Sequence, residues 1–135
     1  MKQDVLGLQF DNVTMDEAVA RAEELLEAPG ASIVVTPNAE IGYEALHDAQ
    51  FRALLNGADL VLPDGAGVVL AAKLRKTPLK QKVAGVDFAD RLLSILEKTG
   101  GGLFLLRKYR FNAIAIIFGT GVVGTIAYSL MGAIA

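Results

Sequence analysis

The spacing of apolar positions along this chain switches repeatedly between a period of two and a helical period. Val5-Leu6-Gly7-Leu8-Gln9-Phe10 reads as a first strand closed by an Asp11-Asn12 turn. Thr14-Met15-Asp16-Glu17 has the spacing of a capping box, in which the Thr14 hydroxyl meets a free amide and Glu17 reaches back. Met15, Ala18, Val19, Ala22, Leu25 and Leu26 then recur at helical intervals, with Glu23, Glu24 and Glu27 on the solvated face. Pro29-Gly30 stops that helix. Ser32 to Thr36 is a short apolar run of the kind that forms a buried strand, and the Thr36-Pro37-Asn38 elbow leads into a helix predicted over 39–56. Its buried positions are expected to be Ile41, Ala45, Leu46, Phe51, Leu54 and Leu55.

Asn56-Gly57 closes that helix, and Asp59 to Leu62 give the next strand. Pro63-Asp64-Gly65-Ala66-Gly67 follows, then an apolar helix from Val68 to Leu74. Val83-Ala84-Gly85-Val86-Asp87-Phe88 turns the chain into a helix predicted over 87–98, burying Phe88, Leu92, Leu93, Ile95 and Leu96. Gly100-Gly101-Gly102 ends it, and Leu103 to Leu106 resume as a strand. Apolar strands alternating with helices predict an α/β fold. In open α/β sheets ligands collect outside the carboxyl ends of the strands, so Thr36, Asn38 and Asp64 are expected at one mouth.

Two roles are open for Asp64: a functional carboxylate at that mouth, or an N-cap on the helix that follows. Gly65 and Gly67 let backbone approach a ligand closely, and the free amides of a helix start favour a diphosphate. The segment lacks a Walker lysine and does not match the dinucleotide fingerprint. Lys73, Arg75, Lys76, Lys80 and Lys82 form a basic patch around Pro78, suited to phosphate groups or simply solvated. Asp87 stands at the expected N-cap of its helix. His47, beside Asp48, reads as a surface residue, because no second candidate ligand accompanies it.

Composition narrows the chemistry. A length of 135 residues suits one domain, and 53% hydrophobic residues suffice for a core. There is no Cys and one His, which leaves no disulfide framework, thiolate metal site or His-based cluster within one chain. Residues 1–97 carry 9 Lys/Arg against 15 Asp/Glu, whereas 98–135 carry 4 basic residues and no acid. An acidic body with a basic, apolar tail points to a membrane surface rather than nucleic acid. The polar start Met1-Lys2-Gln3-Asp4 predicts no signal peptide.

Three stretches, in this order, resemble the WecG/TagA/CpsF glycosyltransferase family: Thr36-Pro37-Asn38-Ala39-Glu40, Ala58 through Val69, and Lys82-Val83-Ala84-Gly85-Val86-Asp87. The resemblance covers about residues 4–106. It implies a Rossmann-like α/β catalytic domain and inverting transfer of an N-acetylmannosamine-type sugar. The implied donor is a UDP-sugar and the acceptor a polyprenyl-diphosphate-linked sugar, with no obligatory metal and no cofactor. It makes Asp64 the general base and Thr36 and Asn38 pocket residues. Lys82 matches a position where members commonly carry a basic residue, and Gly65, Gly67 and Asp87 complete the candidate substrate contacts.

After Leu106 the resemblance stops, dividing the chain into a glycosyltransferase-like part, 1–106, and a tail, 107–135. Arg107-Lys108-Tyr109-Arg110 precedes 25 residues without a charge, long enough as a helix to cross a hydrocarbon core of about 30 Å. The basic cluster then places the N-terminal part on the cytoplasmic face of the membrane. Gly121, Thr125, Ser129 and Ala133 form a small-residue stripe suited to self-association. Two other readings of the tail remain: Ala113 to Phe118 as a strand of the α/β core, or a truncation or frame product replacing a second half. The functional expectation is a membrane-associated glycosyltransferase of cell-envelope polymer synthesis, and its rival a remnant that binds a nucleotide-sugar or lipid-linked sugar without turnover.

Overall fold

The computed structural model describes residues 1–98 and the backbone of residues 114–118. Its first element is a hairpin, β1 (Lys2–Val5) and β2 (Leu8–Asp11), paired antiparallel with Val5 opposite Leu8. The single strand expected over 5–10 is therefore broken in its middle. Leu6 and Gly7 take φ of 56° and 87°, the left-handed pair that a two-residue hairpin turn requires. Val5, Leu8 and Phe10 point into the core.

Helix α1 (Met15–Glu27) begins as its capping box dictates. The Thr14 Oγ1 accepts from the Glu17 amide at 3.2 Å, and Glu17 Oε2 accepts from the Thr14 amide at 2.8 Å. Strand β3 (Ser32–Thr36) follows, then α2 (Ala39–His47) and α3 (Ala49–Asn56). The one helix expected over 39–56 is thus two. Asp48 adopts φ −129° and ψ 103°, leaving the helix while its carboxylate caps α3 through the Phe51 amide at 2.9 Å. The break turns the two faces independently: Ala45 and Leu55 are buried, while Leu46 and Leu54, expected inside, are exposed.

Strand β4 (Leu60–Val61), α4 (Ala66–Leu74), α5 (Gly85–Lys98) and β5 (Ile114–Phe118) complete the described elements. Helix α5 starts two residues before the expected Asp87, and Leu93, expected inside, is 42% exposed. The sheet has the order β4-β3-β5, with both pairings to β3 parallel. Ile114–Phe118 is the strand that the second reading of the tail anticipates, so these five residues do not form part of a helix. An Ile-Ala-Ile-Ile-Phe segment suits a sheet interior, and it satisfies the β3 edge from Ser32 to Thr36. The rest of the tail, including the Gly121–Ala133 stripe, and the strand expected over 103–106 lie outside the described residues. Among the described residues no helix is long and apolar enough to cross a membrane.

Neighbouring residues of the sheet feed opposite cores, as a two-residue period demands. Val34, Leu60 and Leu62 pack with α1, Val83 and the Phe88–Leu92 face of α5. Val35 and Val61 pack with the hairpin, Ala45, Leu55, Val68 and Ala72. The expected α/β architecture is met: α1 and α5 cover one face, and α2, α3, α4 and the hairpin cover the other.

On the second face α2 and α4 approach closely. A Cβ added to Gly67 would stand 2.9 Å from the Ala39 Cβ, closer than two such atoms can come. Gly67→Ala is expected to destabilise the fold by about 1–3 kcal/mol through overpacking, read from urea denaturation. Adding Ala39→Gly should recover most of the loss, because it removes the opposing atom.

Candidate active site

Three elbows meet at the carboxyl ends of β3 and β4. Pro37 and Pro63 are fully buried where the two strands end. Pairing continues past the strands: Leu62 donates its amide to Val35 O at 2.8 Å, and Asp64 donates to Pro37 O at 3.2 Å. The Pro63 carbonyl in turn accepts from the Val83 amide at 2.8 Å, which brings the loop before α5 alongside. The Asp64 side chain closes the cluster, its Oδ2 accepting from the Gly85 amide at 3.2 Å.

That bond corrects the capping alternative for Asp64. The residue at the N-cap of α4 is Gly65, at φ 96° and ψ 158°, and no side chain among the described residues caps that helix. Asp64 instead satisfies the first amide of α5, 21 residues further along the chain. Its second carboxylate oxygen has no hydrogen-bond partner among the described residues, and the side chain is half-buried. One oxygen held by an amide and the other open is an orientation that leaves a lone pair for a substrate proton.

The other expected site residues separate into three settings. Thr36 is completely buried, so it shapes the elbow from within. Asn38 is half-buried, and its Oδ1 caps α2 by accepting from the Ile41 amide at 3.0 Å. Gly65 needs its glycine because of its positive φ, and nothing among the described residues lies within 4 Å of an added Cβ. Gly67 is explained by the approach of Ala39, and with Asn38 it borders a cavity of about 50 Å³ that is otherwise lined mainly by apolar residues of the hairpin, α2 and α4.

Lys82 and Asp87 line a different space, an open cleft of about 390 Å³ shared with Met15, Gln81, Ala84, Asp90 and Arg91. Asp64, Thr36 and Asn38 do not line it. The two regions are joined through the loop 82–85, whose Val83 and Gly85 amides bind the Asp64 elbow while Lys82 and Ala84 face the cleft. Asp87 is exposed in the first turn of α5 rather than at its N-cap. Sequence reasoning missed Arg91, which stands in the cleft one turn beyond Asp87 and pairs with Asp16 at 2.6 Å. Its four-residue spacing from Asp87 was the available signal. Also missed was Asn12, whose Oδ1 accepts from the Lys80 amide at 2.7 Å and anchors the basic loop. His47 is exposed as expected, its Nδ1 2.9 Å from the Tyr43 carbonyl oxygen. Among the described residues no three His, Cys, Asp or Glu side chains are grouped to hold a metal.

A parallel sheet covered on both faces, with a fixed carboxylate where strand-end elbows converge, is an α/β arrangement whose strand ends are where open sheets of this class generally bind ligands. The chain belongs to the glycosyl transferase WecG/TagA/CpsF family, whose sequence model matches residues 3–108. A Bacillus spizizenii relative named N-acetylglucosaminyldiphosphoundecaprenol N-acetyl-beta-D-mannosaminyltransferase is 43% identical over 68 residues, covering 50% of this chain and 26% of the relative. A Staphylococcus aureus protein of the same name is 34% identical over 108 residues, covering 78% of this chain and 42% of its own length. The chain therefore spans less than half the length of either relative.

The basic loop is also tied to α1 electrostatically. Glu17 is held below its ordinary carboxyl value of 4.5, first by the Thr14 amide and then by the Lys80 ammonium, whose Nζ lies 3.0 Å from its carboxylate. A carboxyl lowered on folding contributes its stability above the unfolded value and loses it as pH falls through the folded one. The native chain should therefore exceed Glu17→Gln in urea midpoint at neutral pH. That margin should close as pH is lowered from about 4.5 toward the depressed folded value. A margin independent of pH would show that the carboxylate charge contributes nothing.

Proposed function

We propose that this chain carries the base-bearing part of a Rossmann-like inverting glycosyltransferase domain. The reaction would move an N-acetylmannosamine-type sugar from a UDP donor to a polyprenyl-diphosphate-linked acceptor, at the cytoplasmic face of the membrane. The product would serve cell-envelope polymer synthesis, as a teichoic acid or polysaccharide precursor. The observation that carries this reading is the Asp64 carboxylate, fixed by the Gly85 amide with its second oxygen open. Family membership supports it, as do the two relatives, whose names specify mannosaminyl transfer to N-acetylglucosaminyldiphosphoundecaprenol.

In this reading Asp64 takes the proton of the acceptor hydroxyl as that oxygen bonds to the donor's anomeric carbon. The bond to the diphosphate breaks on the opposite face, and its electron pair leaves on the diphosphate. One displacement of this kind inverts the anomeric centre. A carboxylate is the suitable base because a sugar hydroxyl is a weak nucleophile near neutral pH. Asn38, half-buried in the adjoining elbow, and the open backbone at Gly65 border the sugar, with Thr36 behind them. Lys82 would offset charge on the departing diphosphate, with Asp87 and Arg91 lining the same cleft. The Arg107–Arg110 cluster and the apolar residues after Phe118 would keep the enzyme at the membrane, and the small-residue stripe would promote self-association.

The alternative reading is a domain that binds the nucleotide-sugar or lipid-linked sugar and leaves it intact.

Asp64→Asn separates the two, since the amide oxygen can still accept from Gly85 while the base is removed. If this chain turns over, Asp64→Asn should lower transfer to a polyprenyl-diphosphate acceptor analogue in detergent by about 10²–10⁴-fold, with melting temperature nearly unchanged. Near-normal turnover in the variant would remove Asp64 from catalysis. Binding of UDP by the native chain with no turnover would establish the second reading.

A further inference from the structure

Helix α4 breaks the rule that a surface helix turns polar residues outward. Its exposed positions Ala66, Gly67, Leu70 and Leu74 fall on one side, with Lys73 at the margin, while Val68 and Ala72 pack inward. Leu70 is 58% exposed and Leu74 76%. At its end stand Arg75 and Lys76, both exposed, and Lys76 has a φ of 61° that turns the chain sharply. Residues 65–86 contain Lys73, Arg75, Lys76, Lys80 and Lys82 and no acid. Lys80 is paired with Glu17, whereas Lys73, Arg75 and Lys76 make no ion pair among the described residues. The apolar strip continues onto α2, where Tyr43 and Leu46 are exposed on the stripe that begins at Ala39, the residue touching Gly67. Helix α2 also carries Glu40 and Glu44, so the positive charge is concentrated at the far end of α4.

We propose that the outer face of α4 docks on a bilayer surface rich in anionic phospholipid. Leu70 and Leu74 enter the boundary between headgroups and acyl chains, and Lys73, Arg75 and Lys76 meet the lipid phosphates. Charge complementarity selects this occupant: an exposed leucine pair ending in unpaired cations suits an anionic interface, where the same cations would oppose burial against a second copy of this face. The proposal rests on the reading above for its purpose. Gly65, the N-cap of α4, is next to Asp64, so docking of the helix would bring the carboxylate to the surface where a polyprenyl-linked acceptor presents its sugar.

The absence of Cys makes the test direct, because one introduced thiol labels one site. The full chain with Leu74→Cys, labelled with an environment-sensitive fluorophore, is titrated with phosphatidylcholine vesicles with and without phosphatidylglycerol. The control is Glu23→Cys, exposed on α1 across the sheet. The expected result is a blue shift at position 74 on anionic vesicles, quenched by a lipid-borne quencher, with no shift at position 23. Adding Lys73→Gln, Arg75→Gln and Lys76→Gln should raise the lipid needed for that shift by up to about a hundredfold, at about fivefold per cation. Circular dichroism confirms that each variant is folded.

Binding of vesicles with the position-74 label still in water would overturn the proposal and assign membrane contact elsewhere in the chain. An equal shift on neutral vesicles would overturn it too, as would a shift without vesicles that grows with protein concentration, the mark of a second copy on this face. No binding to any vesicle would overturn it as well. The transfer assay in detergent judges the glycosyltransferase reading separately in every case.

Discussion

Proline has no amide hydrogen, and that single deficiency organises the mouth of this fold. At Pro37 and Pro63 each strand can still accept a hydrogen bond but can no longer donate one, so sheet pairing beyond them runs in one direction. Each proline carbonyl takes the amide of the next segment over: Asp64 bonds to Pro37, and Val83 to Pro63. Three segments remote in sequence are thereby staggered into a staircase of elbows. With both rings fully buried, the steps cannot slide without opening the core beneath them. The orientation of Asp64 is inherited from this arrangement, since the Gly85 amide that holds it is two residues beyond the last step.

The hairpin and the α3–β4 corner brace the same construction from below. Asn56 accepts from the Gln9 amide and donates to the Gly7 carbonyl, both at 2.9 Å, tying the end of α3 to the hairpin. Asp11 accepts from the Val61 amide at 2.8 Å while its carboxylate lies 3.2 Å from Lys2 Nζ. Asp59 accepts from the Ile33 amide at 2.8 Å and returns its own amide to the Ile33 carbonyl at 2.9 Å. Asp11 and Asp59 thus finish edges that a β4 of two residues leaves incomplete.

What could be read in advance follows the range of each interaction. The Thr14 capping box, the Pro29-Gly30 stop and the apolar runs of β3 and β4 are local, and all were legible. The hairpin was hidden because Val5, Leu8 and Phe10 keep an apolar rhythm across a turn that only the φ values at Leu6 and Gly7 betray. Asp48 falls inside the single helical pattern over 39–56 although it both ends α2 and caps α3, a double role without a distinct spacing. The capping alternative for Asp64 points to the helix that follows it, whereas the partner amide is contributed by Gly85, 21 residues further on. The elbows of the candidate site were therefore visible as motifs. Their division between the Asp64 mouth and the Lys82 cleft depends on tertiary contacts.

The order β4-β3-β5 has a consequence for assembly of the chain. Strands β3 and β4 meet after the short connection through α2 and α3, with Val34 beside Leu60. The opposite edge of β3 finds its partner only at Ile114–Phe118, with Ser32 beside Ile114. Closing a longer loop costs more chain entropy and slows folding, so the second pairing is expected after the first. During synthesis β3 would pass through a stage with one edge paired and the other bare, although it is the central strand of the finished sheet. A bare parallel edge beside buried valines is a template for foreign strands. Among the described strands, the central one is thus the most exposed to misassociation before folding is complete.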